Sequence, residues 1–260
     1  MGAVMTRPRS DPDWGEWLRR WDEQQESFNP ERDRRFSAMF DVLEAAVGKR
    51  FAALDLGSGP GSLSARLLRR FPKARCVAVD FDPVALRIGE GALGSVQGRL
   101  SWVDAKLGRP GWVERLPRRR YDAALSTTAL HWLTAKELRR FYRDLYGVLR
   151  KGGVFLNGDR LPWGAEHRRL SRLAESVRRV RFRGASLDSE WAAWRQWWEA
   201  AERLPELKPL FRERAQRQSQ HPRTGDTSLE FHREALERAG FREAAVVWQD
   251  LENRVLLAVR

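Results

Sequence analysis

Apolar residues recur at helical spacing near the start of the chain: Trp14, Trp17, Leu18 and Trp21, then Phe36, Met39, Phe40, Val42 and Leu43. A break at "FNPERD" divides them, so two helices are expected before any strand. From Phe51 the period changes. "FAALDL", "RCVAVD", "LSWVDA", "YDAALST" and "GVFLNGD" read as strands. They alternate with helical segments "SLSARLLRRF", "DPVALRIGEGAL" and "AKELRRFYRDLYGVLR", the last with Gly152 read as its C-cap. This alternation predicts an α/β fold, a parallel sheet with helices on both faces. Residues 160–226 break it, reading as helices alone between "LPWG" and "HPRTGDTS". "LEFHREALERAG" then resumes as a helix with a glycine stop, and "FREAAVVWQD" and "NRVLLAVR" read as an antiparallel pair at the sheet edge. The expected division is an N-terminal helical cover (1–50), a core (51–159 and 227–260) and an inserted helical lid (160–226).

Composition narrows the setting. With 260 residues, 42% of them hydrophobic, the chain can bury a large core. Its single cysteine, Cys76, precludes a disulfide within the chain, and a reducing, cytoplasmic location is expected. No run approaches the roughly 18 apolar residues of a membrane span, so no membrane partner is expected. "MGAVMT" fits the loose M-G-x-x-x-[ST] acylation pattern, which three fixed positions produce readily by chance. The formal net charge is +13, concentrated centrally: +9 over residues 51–159 and +6 over 160–226, against −1 at each end. Only six of the 48 basic residues are lysine, which points to coding bias more than to a binding surface. The positive field favours nucleic acids and small anions alike. Its scatter makes nucleic acid the less expected partner without excluding it, and the oligomeric state is left open.

The chemistry begins at "LDLGSGPGSLS", residues 54–64, where a strand carrying Asp55 runs into a glycine turn and a helix. Such a junction brings backbone close to a ligand at the carboxyl edge of a sheet. The dinucleotide pattern G-x-G-x-x-G/A read from Gly57 requires glycine or alanine where this chain has Ser62, and Asp55 would repel a pyrophosphate. A ligand offering a cation or N–H donors fits better. Asp80, ending the second strand, suits a ribose, and Asp104, ending the third, suits an exocyclic amine. The plainer alternative makes Asp55 a turn cap and Asp80 a helix cap.

"LDLGSGPG", "AVDFDP", "LSWVDA" and "YDAALSTTALHWL", in this order and spacing, resemble the motifs of class I S-adenosylmethionine-dependent methyltransferases. The resemblance implies a Rossmann-like seven-stranded sheet, S-adenosylmethionine as cofactor and S-adenosylhomocysteine as product. It further implies that Asp55 lies near the cofactor ammonium and that Gly57, Ser58, Gly59 and Gly61 shape the turn around it. Asp80 would hold the ribose, Phe81 would stack beside the adenine, and Asp104 with Ala105 would meet its edge. Ser126, late in the fourth strand, is counted with the cofactor contacts.

The acceptor is read from the segment after that strand. The [DN]-P-P-[FYW] motif of nucleobase amino methylases is missing, "STTALHWL" standing in its place, and strand-borne Cys76 is no pyrimidine-attacking nucleophile. "ALHWL" resembles the small-molecule carboxyl methyltransferases of the trans-aconitate and juvenile-hormone-acid type. On that resemblance Trp132 sits beside the sulfonium or acceptor, and His131 bonds the acceptor or serves as its base, with packing and solvent exposure as the plain alternatives. A carboxylate needs no base at pH 7, whereas a phenol would profit from one. His167 and His232 fall outside the motifs. In "SEWAAWRQWWEAAERL", Trp191, Trp194 and Trp198 share a helix face that could roof an apolar pocket or simply pack, with Trp197 one position off. Gln25, Phe28 and Arg35 of the N-terminal helices complete the candidate contacts, and "RRVRFR" could pair with anions or face water. No metal-ligand cluster is present in the sequence pattern, so no metal is expected. The expected function is methyl transfer to oxygen, carboxylate or phenol, on a small organic molecule in specialised metabolism. The rivals are an RNA methyltransferase and a protein of this fold that binds the cofactor for other chemistry.

Overall fold

A computed structural model describes residues 11–29, 32–181, 187–218 and 227–260; at positions 27, 28 and 187–191 it describes the backbone alone. Two helices open the chain, α1 (Trp14–Phe28) and α2 (Arg32–Val47). There follow β1 (Ala52–Leu56), α3 (Ser62–Arg70), β2 (Arg75–Asp80), α4 (Pro83–Leu93), β3 (Leu100–Asp104), β4 (Tyr121–Thr127), α5 (Ala135–Val148) and β5 (Leu149–Arg160). Three helices come next, α6 (Arg168–Arg181), α7 (Leu187–Glu202) and α8 (Lys208–Gln218), before α9 (Leu229–Ala239), β6 (Glu243–Asp250) and β7 (Asn253–Val259).

The seven strands form one sheet in the order β3-β2-β1-β4-β5-β7-β6. β1 to β5 run parallel, while β7 lies antiparallel between β5 and β6. Every residue of central β1 is buried, as a strand covered on both faces demands. The chain leaves β1 toward β2 on one side, whereas β4 pairs on the other. Its carboxyl end is therefore the crevice where open α/β sheets take their ligands.

Local chemistry sets the element boundaries. Asp82 caps α4 by accepting from the N–H groups of Val84 and Ala85, and Pro83 supplies a first turn that needs no donor. Thr134 and Glu137 close a capping box on α5. Gly240 ends α9 in the left-handed region, at φ +106°. Gly152 does not play that part for α5. The helix stops at Val148, and Gly152, at φ +76°, lies inside β5, which starts earlier than the apolar run predicts.

Each face of the sheet buries its own core. Phe36, Met39 and Leu43 of α2 meet Leu63 and Leu67 of α3 on one side, and Phe141, Tyr142 and Leu145 of α5 meet Leu236 of α9 on the other. A third cluster joins α1, α4 and α7 through Trp14, Trp17, Val84, Ile88 and Trp197. The opening tryptophans are thereby the foundation of the helices above the sheet. Arg35 is fully buried: its side chain crosses Gly158, where a Cβ would stand 2.9 Å from Arg35 Cδ, and donates to Asn253 Oδ1 at 3.1 Å. It fastens α2 to β5 and β7 and lines no described cavity. Among the described residues, no helix is long and apolar enough to cross a membrane, and no group of three His, Cys, Asp or Glu side chains could hold a metal ion.

Candidate functional site

The glycine turn after β1 is built for close approach. Gly57 has φ +72°, and a Cβ there would lie 2.3 Å from Ala129 Cβ. The amides of Gly57 and Ser58 both donate to the Val79 carbonyl, at 2.8 and 3.1 Å. The Ser58 hydroxyl donates to the Gly59 carbonyl at 3.3 Å. Gly61 starts α3 at φ +90° with no side chain to cap it. Asp55 takes over that task from below: its Oδ2 accepts from the Ser64 amide at 3.0 Å and the Ser64 hydroxyl at 2.6 Å. Burial pushes its carboxyl up to about 7 despite these donors. Asp55 is thus buried beside the first turn of α3 and is not among the residues that line the cavity described below. Ser126 is likewise absent from that lining. It is fully buried and its hydroxyl donates to the Leu56 carbonyl at 2.7 Å, so it ties β4 to β1 under the cavity floor.

Asp80 does reach the cavity. One oxygen accepts from the amides of Phe81 and Asp82, at 2.7 and 2.9 Å, and the other from Gly59 at 2.7 Å. Desolvation in the wall still raises its carboxyl to about 6. Of roughly four lone-pair sites on a carboxylate, three are taken, which leaves one for a further donor.

The cavity above these groups has a volume of about 440 Å³. Its polar floor holds Gly57, Gly59 and Asp80; its other walls are Trp21 of α1, Trp132, and Trp194 and Trp198 of α7. Trp198 meets Trp21 and Trp194 edge-on, at ring-centroid distances of 6.0 and 5.9 Å. An adjoining cleft of about 310 Å³ shares Phe81, Ala105 and Lys106 with the cavity and adds Asp104. Helix α8 closes this side. Arg214 donates to Asp82 Oδ2 at 2.6 Å and covers the Trp198 ring at 3.8 Å. Arg217 grips both Asp104 oxygens, at 2.8 and 2.7 Å, and the Phe81 carbonyl at 2.6 Å.

The turn after β4 forms the remaining wall. Thr128 stands at φ +49°, a costly conformation for a β-branched residue, and its amide donates to the Gly158 carbonyl at 3.0 Å. That turn brings Ala129 against Gly57 and Trp132 to the rim. His131 lies between these two lining residues, with Nδ1 2.9 Å from Asp159 Oδ1 and its ring 5.3 Å from that of Trp132. Burial works to raise the Asp159 carboxyl, but the charges of His131 and Arg35 outweigh it and hold the group below the ordinary range. His232 sits elsewhere, buried against Tyr142 at 2.5 Å, where desolvation lowers it to about 4. His167 is exposed beside Glu166.

The geometry therefore gathers Gly57, Gly59, Asp80, Phe81, Ala105, Trp132 and Trp194 around one cavity and Asp104 beside it. Gln25 lies on α1, half-buried and away from the cavity lining. The side chains of Phe28 and Trp191 lie outside the described residues. Sequence reasoning missed Trp21, Thr128, Asp159, Arg214 and Arg217. The helical spacing of Trp21 was visible, but its facing was not. The partners of the two arginines lie 132 and 113 positions away, beyond any local pattern.

Residues 53–153 match the family model described as a methyltransferase domain. The trans-aconitate 2-methyltransferase of Azoarcus sp. (strain BH72) is 32% identical over 135 residues, 52% of this chain and 48% of the relative. The chain thus spans about half the length of the curated relative it matches. Among solved structures, an O-methyltransferase family protein from Burkholderia thailandensis superimposes with a TM-score of 0.56 at 14% identity, over 93% of this chain and 59% of that one. Human N-acetylserotonin methyltransferase, solved with S-adenosylmethionine, gives 0.51 at 14% identity, over 97% and 60%. At such identities the structural likeness is one of fold.

Proposed function

We propose, from the methyltransferase-domain match over residues 53–153, that this chain is a class I S-adenosylmethionine-dependent methyltransferase that transfers a methyl group to an oxygen, carboxylate or phenol, of a small and largely apolar organic molecule. One observation carries this reading: a single cavity of about 440 Å³ joins a polar floor of Gly57, Gly59 and Asp80 to a wall of four tryptophans. The first part suits an adenosyl amino acid and the second an apolar acceptor.

The donor set fits the cofactor. Asp80 would hold the ribose, Phe81 would flank the adenine, and Asp104 would accept from its amine while Arg217 keeps the carboxylate oriented. Gly57 would admit the cofactor's amino-acid half at the place where a Cβ meets Ala129. When bound, the cofactor supplies an electrophilic methyl on a sulfonium. The chain's part in an in-line displacement is alignment and exclusion of water. Trp132 would present its ring face to a cationic centre, and α7 and α8 would shield it from solvent. For a phenol, His131 would accept the proton on Nε2, with Asp159 at Nδ1 fixing the tautomer and stabilising the charged ring. For a carboxylate, the same residue would only orient the acceptor.

The test is methyl transfer from radiolabelled cofactor to a panel of aromatic and aliphatic acids and phenols, with bulk RNA in parallel. Label recovered in small organic products supports the proposal. Mild base then distinguishes them, because esters release the label and phenyl ethers keep it. Label in RNA alone would refute the reading.

A further inference from the structure

Helix α6 carries six arginines against one acidic residue, Glu175, and buries only Ala174. Its aliphatic residues face water: Leu170 is 42% exposed, Leu173 53%, Val177 37% and Val180 57%. Their spacing of three, four and three sets them in one row, about 15 Å long at the helical rise. Two apolar positions in seven make the narrow seam by which one helix receives another. A helix lying in a lipid surface uses a broader apolar face, commonly with aromatic residues, and α6 has none.

The charges around the row are specific in placement. Arg181 is spent on Asp250 Oδ2 at 2.6 Å, which ties the far end of α6 to the end of β6, and Arg179 pairs with Glu175. No described ion pair engages Arg168, Arg169 or Arg172 on the outward side. Asp250 ends β6, which runs in the same direction as β5, so the Arg181 end of the seam is held at the carboxyl edge of the sheet, the edge on which the cavity opens.

We propose that α6 is a docking seam for an acidic amphipathic helix of another protein, one that lays aliphatic residues on Leu170, Leu173, Val177 and Val180 and sets carboxylates against Arg169 and Arg172. A second copy of this chain does not meet that description, since six arginines would face six. The proposal is independent of which acceptor is methylated.

The test uses the whole protein and two fluorescein-labelled helical peptides of about three heptads, leucine at the seam positions in both, glutamate flanking the seam in one and lysine in the other. Fluorescence anisotropy should show saturable binding of the acidic peptide alone. Leu173→Glu/Val180→Glu should weaken it by about tenfold or more, and Arg169→Glu/Arg172→Glu should reverse the preference toward the lysine peptide. Both variants change exposed side chains, and unaltered circular dichroism checks their folding. Equal binding of the two peptides, failure of folded wild type to bind the acidic one, binding only to phosphatidylglycerol vesicles, or self-association abolished by Leu173→Glu would each overturn the proposal.

Discussion

Replacing Asp55 by Asn tests the assignment of that carboxyl as a buried helix cap. In the folded chain burial holds Asp55 at about 7, against an ordinary value near 3.8. Below about pH 3.8 both states are protonated and the group contributes its full stabilisation. Between that point and about 7 the unfolded chain releases a proton that the folded chain keeps, so stability falls as pH rises, by about 1.4 kcal/mol per unit. Across the window this amounts to about 4 kcal/mol, levelling off once the folded carboxyl has ionised. Asn offers one carbonyl oxygen in the place of Oδ2, which accepts from both Ser64 donors, and it does not titrate. Urea unfolding of both proteins from pH 4.5 to 8, chosen about the shifted value, should show the variant gaining on the wild type as pH rises, with the difference flat above about pH 7.5. Parallel stability curves would refute the argument, since a cap exposed to water would titrate alike in both states.

Four further outcomes rest on the same geometry. Gly57→Ala should cost about 2–4 kcal/mol from overpacking and positive φ together, and Ala129→Gly in the same chain should restore the steric part; urea midpoints measure both. Arg217→Ala should weaken S-adenosylhomocysteine binding by about two- to fivefold, the value of a partly exposed ion pair, and speed amide exchange in α8. With a phenol acceptor, His131→Gln should lower kcat by about a hundredfold or more and Asp159→Asn should alter its pH profile, whereas with a carboxylate acceptor both losses should stay under about tenfold. Trp198→Ala should raise the acceptor KM more than the cofactor KM in steady-state assays.

The order of strands and helices was open to sequence reading because its signals are local: short apolar runs, a helical spacing of apolar residues, and glycines at the turns. The placing of Gly57 and Asp80 at the cavity and of Asp104 at the adjoining cleft was legible for the same reason, since each follows or ends a strand of the parallel sheet. Two motif residues are placed where the pattern alone does not show. Asp55 and Ser126 occupy motif positions, yet whether a side chain at a strand end rises into the cavity or turns beneath it depends on neighbours the pattern does not contain, here Ser64 and the Leu56 carbonyl. The wall was less legible still. Trp197, expected to be one position off the useful face, is the buried anchor against Trp17 and Trp21, and it is this packing that aims Trp194 and Trp198 at the cavity. Arg214 and Arg217 read as ordinary surface charges until α8 is laid over the ends of β2 and β3.

Isothermal titration of S-adenosylmethionine into the wild type and Asp80→Ala, with thermal unfolding of each protein as a check on folding, tests the central claim most directly. The account predicts a Kd on the order of micromolar for the wild type and loss of binding in a variant that remains folded. A folded wild type that takes up neither S-adenosylmethionine nor S-adenosylhomocysteine, or an Asp80→Ala variant that binds as tightly as the wild type, would contradict it.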